Sequence, residues 1–383
     1  MLELAAHRLG RLIGMLVLVT VLLGGWPYPA RAEVSFSVSH GLVDLHGTPG
    51  SVGQHDLLVR NDGDELLTLA ITINPSPVVA PERSAAAWLA IPAASLEIAA
   101  GDGATLTVAI TIPTGTPSGG YYARLSLTSD AEAAGANAAA IAGQLAVGFL
   151  ITVEGEEPLE RAAELGRFAP VLEGDGRIGF RAELVNTGNV HLIAPTGQVV
   201  VTTADGSAAG SLEFPETTPL LPGLKTGMTT QGSLPLTIGA SYQAEASFTF
   251  LESSAPLTIS STVTLTPDLV VEPVRVCENL DRGPTLAVAL SNRGQIGLLP
   301  YANLAVVSEA DGSLGSAQVA NGSLLWPRES QAVQIDFPER LESGSYTVTL
   351  TVRFDPLQPA TVVTTPFQIG GLTGDPVPLC GEG

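Results

Sequence analysis

An apolar strand that runs into Asn-x-Gly occurs three times in this chain, and each time a Gly-x-Tyr or Gly-Gly-Tyr stretch about fifty to sixty residues later opens an alternating strand. The copies are Leu57-Leu58-Val59-Arg60-Asn61-Asp62-Gly63 with Gly119-Gly120-Tyr121-Tyr122, Ala182-Glu183-Leu184-Val185-Asn186-Thr187-Gly188 with Gly239-Ala240-Ser241-Tyr242, and Val288-Ala289-Leu290-Ser291-Asn292-Arg293-Gly294 with Gly344-Ser345-Tyr346. The asparagines lie 125 and 106 residues apart, about the length of one immunoglobulin-like sandwich. The expected fold is all-β: three tandem immunoglobulin-like β-sandwich domains over residues 33–155, 156–267 and 268–383.

Periodicity supports this. In residues 105–112 Leu106, Val108, Ile110 and Ile112 share one face, and the same alternation returns in 260–265 and 346–352. Turn pairs such as Asp205-Gly206 and Asn321-Gly322 separate the runs, and Pro75, Pro92, Pro113, Pro222 and Pro327 interrupt them. Short strands in antiparallel sheets follow. In the first domain, residues 57–60 and 66–73 read as a hairpin around Asn61-Asp62-Gly63. The long small-residue stretch 128–143 reads as a tolerated insertion rather than a binding loop. Leu159, Ala162, Ala163 and Leu165 suggest a short helical turn over 156–165, at the hinge between the first two domains.

The first 32 residues read as a cleaved signal peptide. Arg8 and Arg11 precede the apolar run 12–23, and Ala30-Arg31-Ala32 supplies the small-x-small pattern, so cleavage is expected between Ala32 and Glu33. The run is shorter than the ~20 residues a spanning helix needs, and no later stretch is long enough either, so no transmembrane segment is expected in the mature chain. Location is then secreted, cell-surface or periplasmic.

Cleavage leaves 14 basic residues against 37 acidic ones, with Lys225 the only lysine. A surface this acidic repels phosphate backbones, which argues against nucleic acid as a partner. The two cysteines, Cys277 and Cys380, are 103 residues apart, and an exported lone pair is expected to oxidise. Closing that loop contributes up to ~4.7 kcal/mol in the chain-entropy model. A two-thiol metal site would need histidine partners that are not nearby.

Catalytic, cofactor and metal sites find no support. His40, His46, His55 and His191 lie in no nucleophile elbow, HExxH helix or Cys/His spacing. Asp44 and His46 share a strand face near His40, two ligands where a metal needs more. His191 reads as a packing or turn residue. The acidic turns Asp62-Gly63-Asp64, Glu173-Gly174-Asp175 and Glu309-Ala310-Asp311 match no EF-hand and are explained by turn chemistry. Tyr122, Tyr242 and Tyr346 are expected to tie down neighbouring loops, as in a tyrosine corner.

The order Val59-Arg60-Asn61-Asp62-Gly63, Trp88-Leu89, Gly103-Ala104-Thr105-Leu106, Ile112-Pro113 and Pro117-Ser118-Gly119-Gly120-Tyr121 resembles the first domain of secreted bacterial proteins related to the WxL-interacting family. Val185-Asn186-Thr187-Gly188-Asn189-Val190-His191-Leu192, then Gly197-Gln198-Val199 and Leu221-Pro222-Gly223, is similar to its second domain, so the likeness spans about 34–255. It implies a peptidoglycan-associated first domain and a second domain that meets a surface-protein partner. Family members commonly carry a C-terminal membrane helix and basic tail, where this chain has a third sandwich.

The expected function is a non-catalytic cell-envelope or secreted protein whose loops and sheet edges meet a cell-wall polymer (peptidoglycan) or a surface protein. The alternative is a periplasmic chaperone-like assembly factor acting by β-strand addition, which needs basic groups for a client carboxylate. Arg60 and Arg124 are the candidates in the early strands.

Overall fold

The computed structural model describes residues 35–129, 143–253, 255–273, 275–279, 283–308, 312–336, 344–355 and 359–369. The expected cleavage site at Ala32 and Glu33, most of the 128–143 loop, the turn Glu309-Ala310-Asp311 and Cys380 fall outside these residues. Cys277 lies in a strand whose backbone alone is described.

The described chain is all-β apart from two 3-10 turns, and it divides into two compact units, the first ending at Glu156 and the second beginning at Glu157 and taking in Ser118–Gly120. The first unit contains β1 (Phe36–Val38), β2 (Leu42–Gly47), β3 (Val52–Asn61), β4 (Leu67–Pro75), β5 (Leu89–Ala90), β6 (Ser95–Ile98), β7 (Gly103–Thr111), β8 (Gly119–Ser129) and β9 (Gln144–Val153). They form two sheets, ordered β1-β3-β7-β5 and β2-β9-β8-β4-β6. Leu57, Leu106 and Val108 from the one face Leu69, Leu125, Leu127 and Phe149 from the other. Each of these side chains contributes about 1.5–3 kcal/mol on leaving water.

The second unit holds two further sheet pairs. Strands β10 (Ala163–Leu172), β11 (Ile178–Asn186) and β14 (Lys225–Thr229) oppose β13 (Ala208–Phe214), β12 (Thr196–Thr203), β15 (Ser241–Thr249) and β16 (Leu257–Thr264). After them come β17 (Leu269–Val271), β18 (Arg275–Asn279), β19 (Gly283–Asn292) and β22 (Ser330–Asp336), opposed by β21 (Gly312–Asn321), β20 (Tyr301–Ser308), β23 (Gly344–Arg353) and β24 (Thr361–Ile369). Where one strand was expected over 269–277, two short ones pair in turn with β19.

The repeated asparagine does one job three times. Asn61 Nδ2 donates to the carbonyls of Glu65 (2.7 Å) and Ile98 (3.0 Å), while its Oδ1 accepts the Gly63 N–H (3.0 Å). Asn186 repeats this with Val190, Leu220 and Gly188, and Asn292 with Ile296, Leu325 and Gly294. All three are buried, at 2%, 0% and 1% exposure, so each carboxamide is a fully bonded polar group inside the end of a sandwich. The turn is therefore an arch that carries the chain from one sheet to the other. The hairpin expected at Asn61-Asp62-Gly63 is corrected accordingly, since β3 and β4 lie in different sheets.

The helical turn expected over 156–165 is also absent. This segment is extended, because its backbone is taken up by the second arch: Asn189 N–H donates to Glu160 O (3.0 Å), Thr187 N–H to Ala162 O (3.0 Å), and Glu160 N–H to Asn189 Oδ1 (2.8 Å).

The second and third sandwiches share a packed junction. Ile296 and Leu298, which follow the third arch, are fully buried within the core built by Leu172, Phe180 and Phe248. Between them Gly297 donates to Pro170 O (2.8 Å) and accepts from Leu172 N–H (3.0 Å). Beside this, the Arg167 guanidinium lies 4.4 Å over the Trp326 ring and 3.6 Å from Glu329, and it bonds Glu183 at 3.2 Å. Lys225 also reaches Glu183, at 3.0 Å. Desolvation pushes the Glu183 carboxyl up, yet the bonds from Lys225 and Arg167 outweigh it and hold the group below the ordinary carboxylate range. Its stabilising contribution is thus complete above the unfolded value, ~4.3, and fades as pH falls through the folded one. Lys225→Met is expected to move the Glu183 titration, followed by carboxyl-carbon NMR, up toward ~4.3; an unmoved titration would show that the pairing is not the cause.

Candidate functional site

The site begins with a strand that stops early. β1 pairs with β3 over only Phe36–Val38, against Val59–Asn61. At Ser39 the chain makes its last bonds to this sheet: its N–H donates to Leu58 O (2.9 Å) and its hydroxyl accepts the Leu58 N–H (3.1 Å). It then crosses through His40 and Gly41 to the opposite sheet, where β2 runs parallel to β9 from Leu42↔Gly148 to Gly47↔Val153. The expectation of purely antiparallel sheets is corrected here.

The crossing leaves β3 open. Its other side is fully paired with β7, from Val52↔Thr111 to Arg60↔Gly103, but no strand among the described residues covers the β1 side from Val52 to Leu57. Antiparallel pairing alternates the direction of the backbone groups. Because Leu58 bonds toward β1, the peptide groups of Asp56, Gln54 and Val52 face the same open side. Those of Leu57, His55 and Gly53 face β7, consistent with Ile112 N–H donating to Ser51 O (3.0 Å) at the end of the ladder.

Among the described residues, the equivalent strands β11 and β19 are lined on this side. In the second sandwich β10 lines β11 from Ala163↔Asn186 to Leu172↔Ile178, and in the third β17 and β18 together line β19. The open stretch has no proline and no lysine to discourage pairing, and Asp56 is its one charged residue. The side chain of Asp56 is held on the outer face by the Thr107 hydroxyl (2.6 Å).

Side chains at the inner margin are loosely filled. The His55 ring makes edge contacts with Phe149 (6.4 Å between centroids) and His40 (5.9 Å), and its Nε2 is buried without a hydrogen-bond partner. A Cβ added at Gly53 would meet nothing within 4 Å. Leu45 and Val38 beside the edge are only partly buried.

The other residues singled out from sequence have structural surroundings. His46 lies 4.0 Å from Asp44 and 3.6 Å from Glu154, all exposed on the outer margin. No group of three His, Cys, Asp or Glu that would hold a metal ion occurs among the described residues. Arg60 pairs with Asp62 at 3.3 Å, and Arg124 is half-buried in β8, so the two do not combine into a basic cleft. His191 is buried at 3% exposure. The Glu173-Gly174-Asp175 turn is closed by Arg177 N–H donating to Asp175 Oδ1 (3.0 Å). In the turn at Gly206, whose φ of 84° favours glycine, the Thr203 hydroxyl and the Ser207 N–H hold the Asp205 carboxyl below its ordinary range.

Of the tyrosines, Tyr242 accepts the Thr237 N–H at 3.0 Å, tying down the preceding loop. In the first unit the Tyr121 hydroxyl donates to Pro117 O (3.0 Å), beside Tyr122, the residue singled out from sequence, which is buried at 1% exposure. Burial pushes the Tyr121 phenol up against the opposing pull of Arg83. Tyr346 is buried and stacks on Phe367 at 5.3 Å. Among the described residues no helix is long and apolar enough to cross a membrane.

No protein-family model matches the chain, and no curated protein matches it in sequence. Among solved structures it is similar to the class 5 fimbriae chaperone CfaA, at 10% identity and a TM-score of 0.35 over 59% of this chain and 99% of that one. It is also similar to the E. coli chaperone DraB, at 11% identity and a TM-score of 0.35 over 60% and 98%. A protein of unknown function from Porphyromonas gingivalis W83 is similar at 15% identity and a TM-score of 0.25, over 59% and 98%. TM-scores this low carry no argument about function.

Proposed function

We propose that this is a non-catalytic binding protein of the cell envelope or secreted space that takes up an extended segment of a partner protein by β-strand addition to β3. The open edge from Val52 to Leu57 carries this reading. An added strand would satisfy the outward peptide groups of Val52, Gln54 and Asp56, supplying affinity through backbone bonds, while alternate side chains would supply selectivity. The resemblance of residues 34–255 to proteins related to the WxL-interacting family supports an envelope partner, a surface protein in the first instance.

The test is a capture experiment with the full chain against secreted proteins and purified cell wall from the source cells. Gln54→Pro removes one outward N–H and leaves the bonds to β7 intact, and Gly53 before it tolerates the extended backbone that proline imposes. Capture is expected to fall at least about tenfold with the fold preserved by circular dichroism. His55→Pro, which removes a β7-facing N–H, should instead destabilise the unit. Undiminished capture by a folded Gln54→Pro variant would sink the reading.

A further inference from the structure

We infer that the segment received at the β3 edge is a basic one, alternating apolar residues with Lys or Arg. This rests on the strand-addition reading and names the chemistry of the partner.

The apolar half of the pattern comes from the pleat. Successive side chains of an added strand point to opposite faces, so every second one enters the gap between the sheets at the level of Gly53, His55 and Leu57. Space exists there: Gly53 presents no side chain and faces open volume, while Leu45 and Val38 leave apolar surface partly uncovered. His55 offers the edge of a ring already packed on Phe149. Small or medium apolar side chains would complete this margin; a polar one would lose water with His55 Nε2 as the buried group left to bond.

The basic half comes from charge. Residues 33–156 contain three arginines and no lysine against thirteen acidic residues. On the outer face at this edge stands Asp56 of β3, and Arg60 is occupied by Asp62; Asp44 of β2 and Glu154 just past β9 lie on the opposite sheet and add negative charge at longer range. Outward side chains of an added strand lie over the outer face beside Asp56, where cations are attracted and carboxylates repelled. A second copy of this acidic chain is disfavoured for the same reason.

The probe is a labelled peptide of about eight residues, long enough to span the open edge. Fluorescence anisotropy with the full chain would compare alternating Val-Lys, the same residues in two blocks, and alternating Val-Glu. The alternating basic peptide is expected to bind at least about tenfold more tightly than either control. Its affinity should fall with added salt and in Asp56→Asn, and by at least about tenfold in Gln54→Pro. Equal binding of the block peptide would reduce the effect to charge alone, and equal binding of the acidic one would remove the charge preference; either overturns the inference. So would a dimer, seen by sedimentation, that Gln54→Pro abolishes. If Gln54→Pro still blocks capture of the natural partner while the peptides bind alike, the inference fails and strand addition stands.

Discussion

Asn186→Ala is expected to lower the stability of the second unit by about 2–4 kcal/mol, a large loss for one side chain outside the apolar core. The substitution removes three bonds at once: the Val190 carbonyl loses the carboxamide that it accepts from, while the Leu220 carbonyl keeps only the Leu192 N–H (2.9 Å) and the Gly188 N–H only Ala162 O (3.2 Å). For a unit of this size that corresponds to a fall of about 10 °C in the melting midpoint, readable by calorimetry. Asn186→Asp separates hydrogen bonding from shape. A carboxylate in place of the carboxamide faces two carbonyl oxygens, so burial would raise its folded pKa and its penalty should grow as pH rises above ~3.9. An Ala variant as stable as the parent would mean that the arch is held by its flanking strands alone.

Gly188→Ala and Gly294→Ala form the second large prediction. An added Cβ at Gly188 would sit 2.0 Å from Glu160 O, and at Gly294 2.3 Å from Thr266 O. These are backbone atoms, held in place because Asn189 and Gln295 donate their N–H groups to them at 3.0 Å. No rotamer relieves such a clash, so the chain must separate and those bonds must lengthen, at a cost of about 2–4 kcal/mol each. Gly227→Ala, where a Cβ meets nothing within 4 Å, is the control and should change stability by less than ~0.5 kcal/mol. Chemical denaturation of the three variants decides, and equal midpoints would refute the close approach.

The third position of Asn-x-Gly and the Asn itself were thus legible as a repeat, but not as an arch. A polar turn between two alternating runs looks the same whether the chain folds back on one sheet or crosses to the other. What decides is a carbonyl more than thirty residues downstream, Ile98, Leu220 or Leu325, and no local pattern points to it. The spacing of Leu159, Ala162, Ala163 and Leu165 misled for a related reason, since the backbone of 160–162 is claimed by a turn about 27 residues later. The open edge was hidden altogether. It depends on β1 ending after three residues and on β2 pairing in parallel with a strand about a hundred positions away, and residues 36–47 read equally well as strands of either sheet.

The junction at Ile296 and Leu298 sets an order of events during synthesis. A polypeptide emerges from the ribosome N-terminus first, and domains ordinarily close as they appear. The first unit needs nothing beyond Glu156 to complete its interior. The second sandwich cannot finish at its own last strand, Leu257–Thr264, because two of its inward plugs are translated only some thirty residues afterwards. Until they arrive, Leu172 and Phe248 border an unfilled end. A truncated product stopping at Thr266 would carry that exposed seam permanently, prone to stick to its neighbours, whereas one stopping at Glu156 would not.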